Sequence, residues 1–360
     1  MIICYLADAA SIHTQRWAGH FAAQGHQVHV ISFSRATVPG AIVHPLRPRG
    51  SRGSEGGNWQ LLLGLPTIKS LLRKIGPDLL HSHYLTSYGL LGALSGFKPL
   101  VGTAWGSDIL VTPRKSIIYR LLLKYTLARC QVVTSDSAFM GDEALRYGLR
   151  PARLKILPLG VNLADFNQTG RAWPDEPPFS LLSMRFLDAN ANVNCLLEAL
   201  ATVVTQIPAV QLVITHRGPE LEALQRQVKR FDLGPWVDFR GMVAHRQVPR
   251  LLKQADLCFS LLSHDATSVT LLEAMACGAF PIASDIPANR EWIDDGRNGY
   301  LVSPRDARAL AGRIVAALQQ PGLRQRAAQA NRHIVAQKAD WHKNMRTASQ
   351  IYRQLIAASE

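Results

Sequence analysis

The stretch Leu261-Leu-Ser-His-Asp-Ala-Thr-Ser-Val-Thr-Leu-Leu-Glu-Ala-Met-Ala-Cys-Gly278 decides how this chain is read. An apolar strand over Leu257–Leu261 runs into a turn of small polar residues. A helix follows over Val269–Cys277, and Gly278 stops it. A helix start carries N–H groups that no intrahelical carbonyl can take, together with the positive end of the helix dipole, and so binds phosphate readily. Ser268, Val269 and Thr270 supply those amides. Asp265 stands at the strand's carboxyl end, just ahead of the helix. Glu273 lies one turn in, within reach of a sugar hydroxyl beside a bound phosphate. Thr270 and Glu273 also have the spacing of a capping box, in which the carboxylate would only bond a backbone amide, and Asp265 also suits an ordinary turn. The stretch alone leaves both readings open.

Strand and helix alternate on either side of it. Strands are predicted at Phe179–Met184, Val210–Thr215, Trp236–Phe239 and Phe280–Ala283, and helices at Val193–Thr205, Glu220–Phe231, Val248–Gln254 and Asp306–Gln319. A last amphipathic helix covers Trp341 to about Ala358. A second series fills the first half, with strands at Ile2–Leu6, Val28–Phe33, Leu79–His83, Leu100–Ala104, Val132–Ser135 and Leu154–Leu157, and a helix at Gln15–Ala23. The segment Arg47–Asn58, with its glycines and arginines, reads as a mobile loop, and the Pro-rich stretch Pro158–Pro178 as a linker. This alternation defines an α/β chain of two Rossmann-like, doubly wound parallel-sheet domains. Their expected extents are 1–165 and 166–340, with 341–360 packing back on the first. Ligands of such sheets bind at the strands' carboxyl ends, so two facing halves imply a cleft.

Composition narrows the class. The 360 residues are 47% hydrophobic, which excludes a disordered chain and suits two domains. The longest mostly apolar stretch, Tyr84–Phe97, is too short to span a bilayer. No basic region precedes the first apolar run, so a cytoplasmic protein without a signal peptide is expected. Five scattered cysteines fit buried free thiols rather than disulfides or a zinc site. Of the net +14, residues 1–163 hold 18 basic against 7 acidic groups (+11), and the remainder 22 against 19 (+3). A basic half suits nucleic acid, an anionic membrane face or an anionic substrate. The absence of zinc-finger spacing or an aromatic RNA-binding signature argues against nucleic acid. In Arg114–Arg129, Arg120, Lys124 and Arg129 interleave with Ile117, Ile118, Leu121 and Leu122 at helical spacing. Such a helix either lies on anionic lipid or packs its apolar side into the core.

The 261–278 stretch resembles the signature of the retaining GT-B glycosyltransferases of glycosyltransferase family 4. These carry an acidic residue, seven others, then Glu and Ala-Met-Ala-x-Gly; here the pair is Asp265 and Glu273. Pro281-Ile-Ala-Ser-Asp285, Glu291 and Asp295-Gly-Arg-Asn-Gly-Tyr-Leu-Val302 continue the pattern downstream. Val237-Asp-Phe-Arg-Gly241 and Leu157-Pro-Leu-Gly-Val-Asn162 with Phe166 continue it upstream. The resemblance implies a GT-B fold and a nucleoside diphosphate sugar as donor. Glu273 would hold the ribose, the amides of Val269 and Thr270 with Ser268 the distal phosphate, and Asp265 the donor sugar and the charge at its anomeric carbon. Arg185 matches the arginine that clamps the diphosphate, and its planar fork suits paired phosphate oxygens. Gly241 joins the donor-binding set.

Two departures from the pattern stand out. The family's lysine about five residues after the arginine is absent from Asp188-Ala-Asn-Ala-Asn-Val193, where Asn190 offers a hydrogen bond but no charge. In Ala104-Trp-Gly-Ser-Asp108, Trp105 replaces a frequent histidine and either stacks on a sugar or packs in the core. Asp108 remains near the expected acceptor and donor-sugar face, as a second catalytic candidate. The loop Ala9–Trp17 lacks the usual double glycine; its Ser11 and His13 are candidates for the donor phosphates. His81 and His83 resemble a metal pair only weakly, and suit cleft lining.

The expected activity is sugar transfer from a nucleoside diphosphate sugar, UDP favoured, to a glycan or lipid-linked acceptor with retention. No metal or cofactor is expected, since the chain has no Asp-x-Asp motif. Peripheral association with an anionic membrane is a further expectation. A non-catalytic nucleotide-sugar-binding partner subunit is the alternative, motivated by the missing lysine. A nicotinamide dehydrogenase is disfavoured because neither half carries G-x-G-x-x-G after its first strand.

Overall fold

The computed structural model describes residues 1–46 and 59–359; the segment expected as a mobile loop, 47–58, lies outside the described residues. The chain forms two compact units, Met1–Leu159 with Lys343–Glu360, and Gly160–His342.

The first unit is built on seven strands: β1 Ile2–Leu6, β2 Gln27–Ser32, β3 Ile42–Pro45, β4 Leu79–His83, β5 Leu100–Ala104, β6 Val132–Ser135 and β7 Leu154–Ile156. All pair in parallel, in the order β3-β2-β1-β4-β5-β6-β7. The central strands β4 and β5 are buried along their whole length, as parallel strands covered on both faces must be. One set of polar groups in this core is paired side chain to side chain. His81 bonds the Tyr352 hydroxyl through Nδ1 (2.5 Å) and the Thr103 hydroxyl through Nε2 (2.5 Å). Thr103 continues to Thr134 (2.6 Å), and Tyr5 lies 3.2 Å from Tyr352. Tyr352, stacked 4.9 Å from Phe21, thereby ties the last helix, Trp341–Ala357, to the sheet. His81 and His83 are fully buried, so they belong to this packing and line no cleft.

The second unit has six strands: β8 Phe179–Ser183, β9 Val210–Thr215, β10 Val237–Gly241, β11 Leu257–Ser260, β12 Phe280–Ser284 and β13 Tyr300–Val302. They too are parallel, in the order β10-β9-β8-β11-β12-β13. The helix Val269–Cys277 is buried from Leu271 to Cys277 and packs between the sheet and the helix Pro321–Lys338. It ends at Gly278, whose φ of +81° is the left-handed conformation a helix stop requires.

Three differences from the sequence reading have physical causes. The 18-residue helix Pro321–Lys338 was not anticipated because its buried stripe includes Arg324, Ala327, Ala328 and Asn331, which gives no apolar periodicity. The basic stretch 114–129 is not one helix. It breaks at Ser116, which is extended and caps the Tyr119 N–H (3.4 Å), leaving helices Thr112–Lys115 and Ile117–Arg129. The Pro-rich stretch after Leu159 is packed, not loose. Val161 exchanges backbone bonds with Ala339 and Trp341, Phe166 is buried, and the Arg171 guanidinium donates to the carbonyls of Leu252, Lys253 and Ala255. All five cysteines are buried and free. No helix among the described residues is long and apolar enough to cross a membrane.

Candidate functional site

In the second unit the strand order reverses between β8 and β11. Ligands of open α/β sheets bind at such a switch point, outside the carboxyl ends of the strands. Arg185 follows β8, and the Asp265–Ser268 turn follows β11, so the fold alone sets them side by side. Arg185 Nη2 lies 3.3 Å from Asp265 Oδ2, and Nη1 donates to Ser268 Oγ at 3.0 Å. Arg185 and Asp265 keep 21% and 19% of their side-chain exposure. The fork is thus aimed by protein contacts and still reachable.

Ser268 is the N-cap of the helix Val269–Cys277, accepting the Leu271 N–H at 3.2 Å. This removes the capping-box reading, which required Thr270 to be the cap. Val269 and Thr270, both half-buried, provide the first helical amides. Glu273 sits one turn deeper, and its Oε1 lies 3.3 Å from His245 Nε2. The carboxylate is largely buried, while the imidazole above it is 76% exposed. Gly241 closes β10 at φ +67°, and its carbonyl accepts the His216 N–H at 2.6 Å. The structure therefore brings together Arg185, Asp265, Ser268, Val269 and Thr270, with Glu273 and His245 one turn on.

Asn190 does something other than was expected of it. Its amide donates to the His264 carbonyl (3.1 Å) and accepts the His264 N–H (3.1 Å), while the Ser263 N–H donates to the backbone carbonyl of Asn190. Asn192 adds bonds to Leu261 O (2.6 Å) and Ser263 Oγ (2.9 Å). The loop that lacks the lysine is a brace for the turn that carries Asp265. Sequence reasoning missed this brace and missed His245. The only signal for His245 was its place shortly after Gly241, at the end of a strand.

The other candidates lie in the first unit, whose own order reverses between β1 and β4. Ser11 is the N-cap of the helix Ile12–Ala23, but its hydroxyl makes no cap bond. His13, on the first turn, stacks on Trp105 with ring centroids 4.3 Å apart, and His83 meets the same indole edge-on at 5.4 Å. Trp105 is 9% exposed with one face occupied, so it packs. Burial, aided by the Arg16 charge, pushes the His13 pKa down to about 4. Burial also lowers His81 to about 3 and holds His83 well below its ordinary value, with His81 and His13 adding to the effect. Asp108 is buried, and its carboxylate accepts N–H groups from Leu85 (2.8 Å), Trp105 (3.1 Å) and Gly106 (2.9 Å). Burial raises its pKa and those three bonds oppose the rise. It holds the turns after β4 and β5 together.

Two doubly wound parallel sheets, the second with a cationic fork and a helix start over its switch point, define a GT-B architecture. Residues 165–334 match the family described as Glycosyl transferases group 1, and residues 2–137 the family described as Glycosyl transferase 4-like. The second unit thus matches the group 1 glycosyltransferases, and the first matches a companion glycosyltransferase family. The chain is 24% identical to the glycogen synthase of Mycobacterium tuberculosis over 94% of this chain and 89% of that one. It is 32% identical to the phosphatidyl-myo-inositol mannosyltransferase of Mycobacterium leprae over 55% and 52% of the two chains. Among solved structures it is similar to Anabaena Alr3699/HepE in complex with UDP, with a TM-score of 0.81, 18% identity, and 99% and 100% coverage.

Proposed function

We propose that the chain transfers a sugar from a UDP-sugar to an acceptor hydroxyl with retention of anomeric configuration. The observation that carries this is the Arg185–Asp265–Ser268 constellation over the β8/β11 switch point, with Glu273 one turn deeper. The Arg185 fork and the Val269 and Thr270 amides take the diphosphate, and Glu273 takes the ribose. As the bond from the anomeric carbon to the diphosphate oxygen breaks, that fork and the helix dipole stabilise the departing charge, with no metal held by the protein. The acceptor oxygen bonds the anomeric carbon on the face just vacated, and its proton passes to the diphosphate. Asp265 stabilises the cationic sugar between the two events. UDP in the neighbouring HepE structure supports the choice of nucleotide.

A thermal-shift panel of UDP-, GDP-, ADP- and CMP-sugars tests the reading. A shift with UDP-sugars that Glu273→Ala abolishes is expected. An equal shift in Glu273→Ala would remove Glu273 from the site.

The acceptor is proposed to be lipid-linked or membrane-proximal, on a separate observation. Val111, Ile117, Ile118 and Leu121 are 40%, 60%, 53% and 57% exposed, and Arg114, Lys115, Arg120 and Lys124 are exposed around them. The apolar side at the start of the helix Ile117–Arg129 is therefore not core, and only Leu123, Thr126 and Leu127 are buried. Apolar groups ringed by cations match an anionic bilayer surface. Co-sedimentation with phosphatidylglycerol-containing vesicles, lost in Ile117→Ser/Leu121→Ser, is expected; equal binding to neutral phosphatidylcholine vesicles would overturn it.

A further inference from the structure

Beyond β10 the chain reads His245-Arg246-Gln-Val-Pro-Arg250-Leu-Leu-Lys253, forming a short turn of 3-10 helix at His245–Gln247 and the helix Val248–Gln254. Arg246 and Arg250 are spaced i, i+4, and Lys253 follows Arg250 at i+3, so all three stand on one side. That side lines a cavity of about 680 Å³, within the size range of small-molecule sites. The opposite wall comes from Asp165, buried Phe166 and Gly170. Arg171 fixes this wall by capping the carbonyls at the helix's end, and Lys253 Nζ reaches across to Asn167 Oδ1 at 3.0 Å.

The charge balance of the cavity is lopsided. Three cations face a single carboxylate, Asp165, which accepts the Asn162 amide at 2.6 Å. Among the described residues neither Arg246 nor Arg250 forms an ion pair. Like charges one turn apart destabilise a helix unless something of opposite sign lies between them. A doubly charged phosphate suits the gap, because guanidinium forks pair with its oxygens two at a time. Neither Arg185 nor Ser268, which form the donor's cradle, lines this cavity.

We propose that this cavity is a second anion site, which binds a small phosphomonoester independently of the diphosphate cradle. The phosphate lies between Arg246, Arg250 and Lys253, and the organic part of the ligand lies over Phe166. His245, which touches Glu273, also lines the cavity, but the three proposed phosphate ligands take no part in the donor assignment, so the two readings can fail separately.

Isothermal titration of the full chain with inorganic phosphate, glycerol 3-phosphate and a hexose 6-phosphate tests it, each with and without saturating UDP. Binding of at least one organic phosphomonoester is expected to persist with UDP present and in Arg185→Ala. Arg246→Gln/Arg250→Gln should weaken it at least tenfold while leaving UDP binding unchanged, which also reports that the variant is folded. Competition with UDP, or loss in Arg185→Ala, would assign the phosphate to the cradle and overturn the proposal. Equal binding by wild type and Arg246→Gln/Arg250→Gln would overturn it as well. Binding of inorganic phosphate alone, with no gain from an organic group, would sink the role given to Phe166.

Discussion

The two sheets reverse strand order in the same way, yet the groups at the two reversals are opposite in character. At β8/β11 a guanidinium and a carboxylate stay partly open to solvent, in the half of the chain that is nearly neutral overall. At β1/β4 the strongly basic half places neutral imidazoles packed on an indole. Net charge therefore does not locate the candidate anion site. The first half spreads its cations over its surface, including Arg120 and Lys124, while the second places one arginine where the fold makes it count. A group near a switch point is a candidate for function when protein contacts aim it and leave it accessible; Arg185 meets both conditions, whereas His83 is held but buried.

The contrast can be broken most forcefully at Arg185. Arg185→Ala removes the fork and leaves Asp265 without its ion pair, so kcat/KM should fall by about 10²- to 10³-fold. Steady-state kinetics with a UDP-sugar checks this, and a change below threefold would make the charged switch point incidental.

The neutral side is tested next by pH. Unfolding returns His13 and His81 to their usual pKa near 6.5, so below that value the unfolded chain binds more protons than the folded one. Stability is complete above pH 6.5 and falls until about pH 4 for His13 and about pH 3 for His81. By pH 5 each imidazole should remove about 2 kcal/mol from the first unit. Urea denaturation at pH 7.5 and pH 5 measures the loss, and His81→Gln should flatten its share. A smaller effect is expected from Tyr352→Phe, which strands His81 Nδ1 in the interior and should cost about 1–2 kcal/mol. Should Tyr352→Phe leave the midpoint unmoved, the hydroxyl network is not what ties the last helix down.

How much of this was legible in the sequence depends on whether a residue's role is local. The helix Val269–Cys277 was readable to the residue, because an apolar segment ended by glycine encodes its own limits. Glu273 and Arg185 stood out as candidates because their spacing to that helix and to β8 resembles a known pattern. The helix Pro321–Lys338 escaped because its buried face uses Arg324 and Asn331, which bond to groups distant in sequence, such as the carbonyls of Pro174 and Asn298. His245 escaped for the same reason, since its value lies in a contact with Glu273 that only the fold creates. Asp108 was expected at the reacting sugar, but its three backbone donors come from two separate turns, and no spacing rule shows that.

The smallest effect sharpens the comparison most, because it separates aim from charge. Asn190 occupies the position where related chains carry a phosphate-binding lysine, yet both ends of its amide are bound to His264, beside Asp265. If the brace matters only for geometry, Asn190→Ala should lower kcat a few-fold, about 1 kcal/mol in barrier, while the Kd for UDP stays within twofold. Had Asn190 been a surrogate for the lysine, the nucleotide itself would be held less tightly, and Kd would rise with little change in kcat. Kinetics under saturating donor, set beside UDP titrations, distinguish the two outcomes, since on the proposed reading the phosphates would meet Arg185 directly and Asn190 only through the turn that it steadies.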